Sequence, residues 1–214
     1  WLEHLIDCLR AHPEGISATP VTPFTPICQS MWSTSPEHLD WFARGIFRGC
    51  RGDWRQRARI MPVIGVYRAD LLEQIGFADR WFYTMEFWDD DLSLRARRRG
   101  FKQFLCADVY CHHAGSVTGG GEWKQTLTEG RELFVQKHHV DPWGKGFCRA
   151  SGLVELMSGI ELPPGKTELL AIDCGLGDSF FEIENAIRRM GGCPESYLLA
   201  EREEDLLDTR MFAP

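Results

Sequence analysis

The stretch "YTMEFWDDDLSLRARRRGFKQFLCADVYCHHAG", residues 83–115, predicts a helix followed by a buried strand. Three consecutive aspartates begin the helix near residue 89, arginines fill its last turns, and Gly100 ends it, which suits both ends of the helix dipole. The apolar run 102–113 predicts a strand with two histidines at its end. One aspartate is enough to cap a helix, so three in a row leave open a second role, as a general base or as a counter-charge to a cation.

Composition limits the classes of function. The chain has 214 residues and a formal net charge of -7, which argues against broad attraction to the phosphates of nucleic acid, so no nucleic-acid partner is expected. No window approaches the roughly 18 consecutive apolar residues of a membrane span. Eight cysteines without a C-x-x-C pair or a secretory leader predict reduced thiols and a cytoplasmic location, with room for peripheral attachment to the inner face of a membrane.

Hydrophobic periodicity predicts an α/β protein with two parts. Helices are expected near 1–15, 36–49, 68–76, 89–99 and 122–139, and strands near 15–21, 59–68 and 102–113. Residues 1–148 would form one unit, a mixed sheet flanked by helices. Residues 149–214 would form an extension with a βαβ pattern. In it, "IDCGLGD" and Glu201 loosely resemble a nucleotide-binding site or the S-adenosylmethionine-binding start of a methyltransferase.

The two histidines are candidates for a metal site. Consecutive strand residues point to opposite faces, so only one of His112 and His113 can share a site with the aspartates. A histidine near carboxylates suits a divalent ion such as Mn²⁺, although a lone histidine is more often structural.

The order of the motifs resembles the GT-A glycosyltransferases of family 2. The segment "IGVYRADLLEQIGFADRWFY" is similar to the family's G-x4-R-x6-G-F-D-E segment, and "WDDDLSLRARRRGF" to its E-D-x-D-L-x2-R-x4-G-Y helix. "ADVYCHHAGS" and "RELFVQKHHVDPWG" are similar to its later v-y-H-h-g-S and F-x-x-K-W-g motifs. The resemblance covers about residues 1–145 and implies a GT-A-like, Rossmann-like fold.

That resemblance implies roles for individual residues. Asp89 matches the catalytic base, and Asp91 and Arg95 match residues that fix the helix against the sheet. His112 matches a histidine that helps hold the Mn²⁺ or Mg²⁺ of the donor. Gly65, Trp88 and Trp123 are the residues expected at the acceptor, and the glycine-rich loop 116–121 is expected to be mobile.

The implied activity is inverting transfer of a sugar from a nucleotide-diphosphate sugar to a hydroxyl of a glycan, lipid-linked or protein acceptor, as in the synthesis of bacterial cell-surface polysaccharide. Trp88 replaces the family's usual Glu, a W-D-D form similar to that of bacterial galactofuranosyltransferases, and it leaves Asp89 and Asp90 as alternatives for the base. The first helix resembles the one that follows the family's D-x-D motif, so the nucleotide-binding half is expected to lie outside this sequence. A non-catalytic binding module and a fusion to a methyltransferase are the alternative functions.

Overall fold

The computed structural model describes residues 1–25, 29–31, 33, 36–57, 59–115 and 123–139, and the backbone of two further strands. Its helices are α1 (Leu2–Ala11), α2 (Leu39–Gly49, after a 3₁₀ turn at Pro36–His38), α3 (Ala69–Ile75), α4 (Trp88–Arg98) and α5 (Trp123–His138). Its strands are β1 (Gly15–Val21), β2 (Trp54–Arg57), β3 (Val66–Tyr67), β4 (Lys102–Tyr110), β5 (Lys166–Ile172) and β6 (Cys193–Ala200).

The first four strands form one mixed sheet in the order β2-β4-β1-β3. The two central strands, β1 and β4, are parallel, and both edge strands run antiparallel to their neighbours. All seven residues of β1 are buried, as expected for a central strand covered on both faces. The α/β class predicted from the sequence is confirmed at this level.

Side-chain alternation along β4 divides the helices between the two faces of the sheet. Phe104 and Cys106 pack with the buried residues of α1, including Leu5 and Leu9. Leu105, Ala107 and Tyr110 instead pack with the apolar side of α2. A third cluster, around Phe82, Phe87, Leu94 and Phe134, joins α4 to α5 and forms a separate core beside the sheet.

Some predicted boundaries are wrong. The strand expected over 59–68 is reduced to Val66–Tyr67, because Pro62 lacks an amide donor for a ladder and the run turns before Gly65. The polar strand β2 was not predicted. The strand β4 ends at Tyr110, so both histidines lie beyond it rather than on it.

The C-terminal strands β5 and β6 are parallel and paired along their length, as the predicted βαβ unit requires. The expected helix between them, the glycines of "IDCGLGD", Glu201, the boundary near 148 and the loop 116–121 lie outside the described residues. Within the part of the chain that is described, no helix is both long and apolar enough to cross a membrane.

Candidate active site

The three aspartates lie at the N-terminal end of α4, after a turn that is held in an unusual backbone conformation. Met85 and Phe87 both have positive φ angles, 64° and 63°, which are rare for residues with side chains. Phe87 is buried against Phe134 of α5, with ring centroids 6.2 Å apart. Such strain persists only where packing holds it, and it is concentrated at functional sites.

Gly130 of α5 makes that packing possible. A Cβ atom built on Gly130 would lie 2.7 Å from Cβ of Glu86 and 3.1 Å from both the Glu86 carbonyl oxygen and a ring carbon of Phe87. The helix therefore approaches the turn more closely than any residue with a side chain would allow. The position of the first turn of α4 depends on this contact.

Asp91 is fully buried and is the most heavily bonded of the three aspartates. It accepts hydrogen bonds from Nε of Arg95 at 2.8 Å, Nζ of Lys137 at 2.5 Å and Nε2 of His138 at 2.7 Å. Burial alone would raise its pKa, but these hydrogen bonds outweigh burial and lower the pKa to about 2. Asp91 is thus an ionised structural residue that joins α4 to α5.

Arg95 extends this network towards α3. Its guanidinium donates to the backbone carbonyls of Ile75, Gly76 and Phe77 as well as to Asp91. The pair expected to fix the helix against the sheet therefore fixes it to α5 and to the loop after α3.

Asp90 has a different partner. Its Oδ1 accepts a hydrogen bond from Nη1 of Arg59 at 2.8 Å, and the two side chains are 15% and 4% exposed. Arg59 belongs to the segment between β2 and β3, so this ion pair ties α4 to the sheet side of the molecule. A carboxylate held by a buried arginine is poorly placed to act as a base.

Asp89 is the one member of the run without a basic partner among the described residues. Its pKa is raised to about 8, first because it is removed from water and second because the charge of Asp90 lies beside it. Glu86 adds a smaller repulsion, while the amides at the start of the helix partly oppose the shift. Asp89 therefore combines the two properties of a general base, a pKa near neutrality and no competing cation.

Three aromatic side chains form a series of ring contacts that ends at Trp88, the residue before Asp89. Tyr67 and Phe77 meet edge to face at 5.4 Å, and Phe77 lies 5.3 Å from Trp88. Burial first, and the charge of Asp89 second, raise the pKa of Tyr67. A Cβ on Gly65 would come within 3.3 Å of the Tyr67 ring, so Gly65 leaves the room that this ring occupies.

The segment that leads into α4 exposes large apolar side chains. Phe77, Trp81, Tyr83 and Met85 are 48%, 47%, 71% and 70% exposed. Trp81 is nevertheless fixed, because its indole N–H donates to the carbonyl of Leu133 at 3.1 Å. We call these four side chains the aromatic rim; clusters of this kind mark binding surfaces more often than chance exposure.

Two predicted site residues have no described contact with the acidic cluster. His112 is exposed, and its Nδ1 lies 3.3 Å from the Tyr110 hydroxyl. Trp123 is 42% exposed at the start of α5, next to Lys124. Within the described ranges, no three His, Cys, Asp or Glu side chains lie together as a metal-binding group, so His112 supplies at most one ligand.

Sequence reasoning assigned no role at this site to five of its residues, namely Arg59, Tyr67, Gly130, Lys137 and His138. Arg59 is 31 positions from Asp90, and Lys137 and His138 are 46 and 47 positions from Asp91. Gly130 carried a signal, since a glycine within a helical pattern needs a packing reason. Lys137 also carried one, because it is the lysine of the segment that resembles an F-x-x-K-W-g motif.

An open groove of about 330 Å³ lies elsewhere, between α1 and α2, and is lined by residues such as His4, Phe47 and Asp108. Neither α4 nor its neighbouring loop contributes to it, so the chemistry of the acidic cluster does not depend on this groove.

Comparison with known proteins found no matching family model, no matching curated protein and no matching solved structure.

Proposed function

We propose that this chain is the acceptor side of an inverting glycosyltransferase with a GT-A-like fold, in which Asp89 is the general base. The proposal rests on the different surroundings of the three consecutive aspartates. Arg59 binds Asp90, and three donors hold Asp91 ionised, whereas Asp89 has a raised pKa and no basic partner in the described part of the chain. None of the three aspartates is the N-cap residue of α4, which is Phe87, so capping does not account for them and the arrangement favours a chemical role for Asp89.

The proposed reaction is a single displacement. Asp89 takes the proton of an acceptor hydroxyl as its oxygen attacks the anomeric carbon of a nucleotide-diphosphate sugar. The bond from that carbon to the diphosphate breaks as the new glycosidic bond forms, which inverts the anomeric configuration. The leaving nucleoside diphosphate carries away the bonding electrons, and the proton remains on Asp89.

The aromatic rim and the rings of Tyr67 and Trp88 supply an acceptor surface. Flat rings bind the apolar faces of sugars, and their polar tips can orient hydroxyl groups. Because these rings lead directly to Asp89, a glycan bound across them would present a hydroxyl to the base. The Mn²⁺ or Mg²⁺ implied by the resemblance would take His112 as one ligand and requires further ligands from outside the described residues.

The test compares Asp89→Asn with Asp40→Asn in the intact protein. Asp40 is 91% exposed on α2 and serves as the matched control. Release of nucleoside diphosphate is measured with a panel of nucleotide sugars and glycan acceptors. We expect Asp89→Asn to lower kcat by about 10²- to 10⁴-fold with little change in KM, because it removes proton transfer and keeps the shape of the side chain.

Full turnover by Asp89→Asn would overturn the assignment of the base. Absence of turnover with every donor, together with glycan binding that depends on the aromatic rim, would instead identify a non-catalytic binding module.

A further inference from the structure

The outward face of α2 combines an exposed tryptophan with arginines. Trp41 is 75% exposed, the highest exposure among the large apolar side chains of the described residues. Arg44 and Arg48 lie three and seven positions further along, and both are exposed, so the three side chains share one side of the helix. Arg51, in the turn that follows, is also exposed and lies over the ring of Phe47 at 5.8 Å. We call Trp41, Arg44, Arg48 and Arg51 the basic face.

The basic face is separate from the packing face of the same helix. Leu39, Phe42, Ala43 and Ile46 contact the buried residues of the sheet and hold α2 in place. Packing against the sheet therefore explains one side of α2 and does not involve the residues of the basic face.

Two glycines of α2, Gly45 and Gly49, add no side chains to the surface of the helix. A Cβ built on Gly45 or Gly49 would meet no other atom within 4 Å, so neither glycine is required by packing. Glycine costs about 1 kcal/mol relative to alanine inside a helix. Their effect is a shallow surface between Trp41 and Arg48 that a flat partner can approach.

The charge of this face opposes that of the whole chain. Residues 39–52 contain three arginines and one acidic residue, Asp40, whereas the whole chain carries a formal net charge of -7. Asp40 pairs with Arg44 at 3.2 Å, but both side chains are more than 70% exposed, so water screens this pair. The face therefore presents net positive charge locally.

We propose that the basic face of α2 docks on the surface of a membrane that contains anionic lipids. Arginines attract the phosphates of the headgroups, and tryptophan is the side chain best suited to the boundary between headgroups and acyl chains. A nucleic acid is a poorer match, because neutralising a longer run of phosphates would bring the remaining acidic surface against them. This surface goes beyond the proposed reaction and places the enzyme where lipid-linked acceptors are found.

The experiment is co-sedimentation of the purified full chain with two kinds of vesicle, one of phosphatidylcholine alone and one that also contains phosphatidylglycerol. We expect binding only to the second kind at low salt. Arg48→Glu, which changes the charge by two, should weaken partitioning by about 20- to 30-fold, since each arginine contributes about fivefold. Trp41→Ser should abolish the part of the binding that survives raised salt.

Two matched variants serve as controls. Arg10→Glu makes the same two-charge change at another exposed arginine, on α1. Leu2→Ser removes an exposed apolar side chain from the same helix. Both should bind anionic vesicles as the unmodified protein does, and circular dichroism checks that every variant is folded.

The proposal is overturned by equal binding to the two kinds of vesicle or by binding to neither. It is also overturned if either control loses as much binding as Trp41→Ser and Arg48→Glu, or if polyphosphate or single-stranded RNA is bound while vesicles are not. None of these readouts needs a sugar donor, so they are independent of whether the chain is a glycosyltransferase.

Discussion

Replacing Asp89 with asparagine should make the protein more stable at alkaline pH, although most changes at buried polar positions destabilise. The folded-state pKa of Asp89 is about 8, above its ordinary value of 3.8. Between these two values the unfolded chain has lost the Asp89 proton and the folded chain has kept it. Stability therefore falls as pH rises from about 4 to about 8 and is constant above that. Asparagine resembles the protonated acid and does not ionise, so the variant does not lose stability in this way as pH rises.

The size of the effect follows from the interval between the two pKa values. It spans about four pH units, and each corresponds to about 1.4 kcal/mol, so the largest possible gain is about 6 kcal/mol. The half-buried side chain retains some contact with water, which screens part of its charge, so we expect a gain of about 2–4 kcal/mol at pH 9. At pH 4 the gain should be less than about 1 kcal/mol, because Asp89 is then protonated in the folded chain and only about half ionised in the unfolded chain.

Urea unfolding followed by tryptophan fluorescence at pH 4 and pH 9 measures this gain for Asp89→Asn relative to the unmodified protein. The exposed control Asp40→Asn should show no comparable dependence on pH. A variant that is destabilised at pH 9, or whose gain is equal at the two pH values, would refute the assignment of Asp89 as a strained, neutral acid.

Further predictions concern the same helix and its packing. The value of kcat/KM should rise about tenfold per pH unit until about pH 8, since the base must lose its proton. Asp90→Asn should move this rise about 1–3 pH units lower, because it removes a neighbouring charge and releases Arg59 from its ion pair with Asp90. A pH profile that does not move would contradict the coupling of Asp89 to Asp90. Asp91→Asn should cost about 3–5 kcal/mol at pH 7 in urea unfolding, a difference that shrinks as pH falls from 4 towards 2, where the ionised form of Asp91 loses its advantage. Gly130→Ala should destabilise the protein by about 1–3 kcal/mol, because the added methyl group would meet Cβ and the carbonyl oxygen of Glu86. Gly45→Ala should stabilise it by up to about 1 kcal/mol, because nothing lies near the added methyl group. Equal effects of the two changes would show that α5 does not pack tightly on the turn before α4.

Local pattern was sufficient to predict most of the elements that frame the site. The aspartates, the arginines and Gly100 together located α4 within one residue at each end. Gly76, with a φ of 75°, ended α3 at the expected residue. These features depend on capping and backbone conformation, which are decided by residues that are close in the sequence.

The strand errors have a common cause. The apolar run 59–68 looks like a strand, but only Val66 and Tyr67 pair with a neighbouring strand, β1. The polar sequence of β2 carries no alternating signal, and its place in the sheet comes from pairing with β4. Strand formation depends on partners as well as on intrinsic preference.

The choice between Asp89 and Asp90 as the proposed base also depended on distant residues. The sequence resemblance matched Asp89 to the base but left Asp90 as an alternative, because Trp88 replaces the usual Glu. Arg59 distinguishes them in the fold by binding Asp90. Interactions of this kind arise from tertiary packing, which local sequence patterns do not predict.

The four-way binding of Arg95 has a consequence for motion. Its guanidinium donates hydrogen bonds to three successive backbone carbonyls at the end of α3. The loop after α3 therefore has little freedom to open unless these hydrogen bonds to α4 break first. Phe77, whose own carbonyl is one of the three, should therefore move as a rigid body with the helix that bears Asp89. Substrate would meet a preset wall on this side, and any closing motion would have to come from other segments.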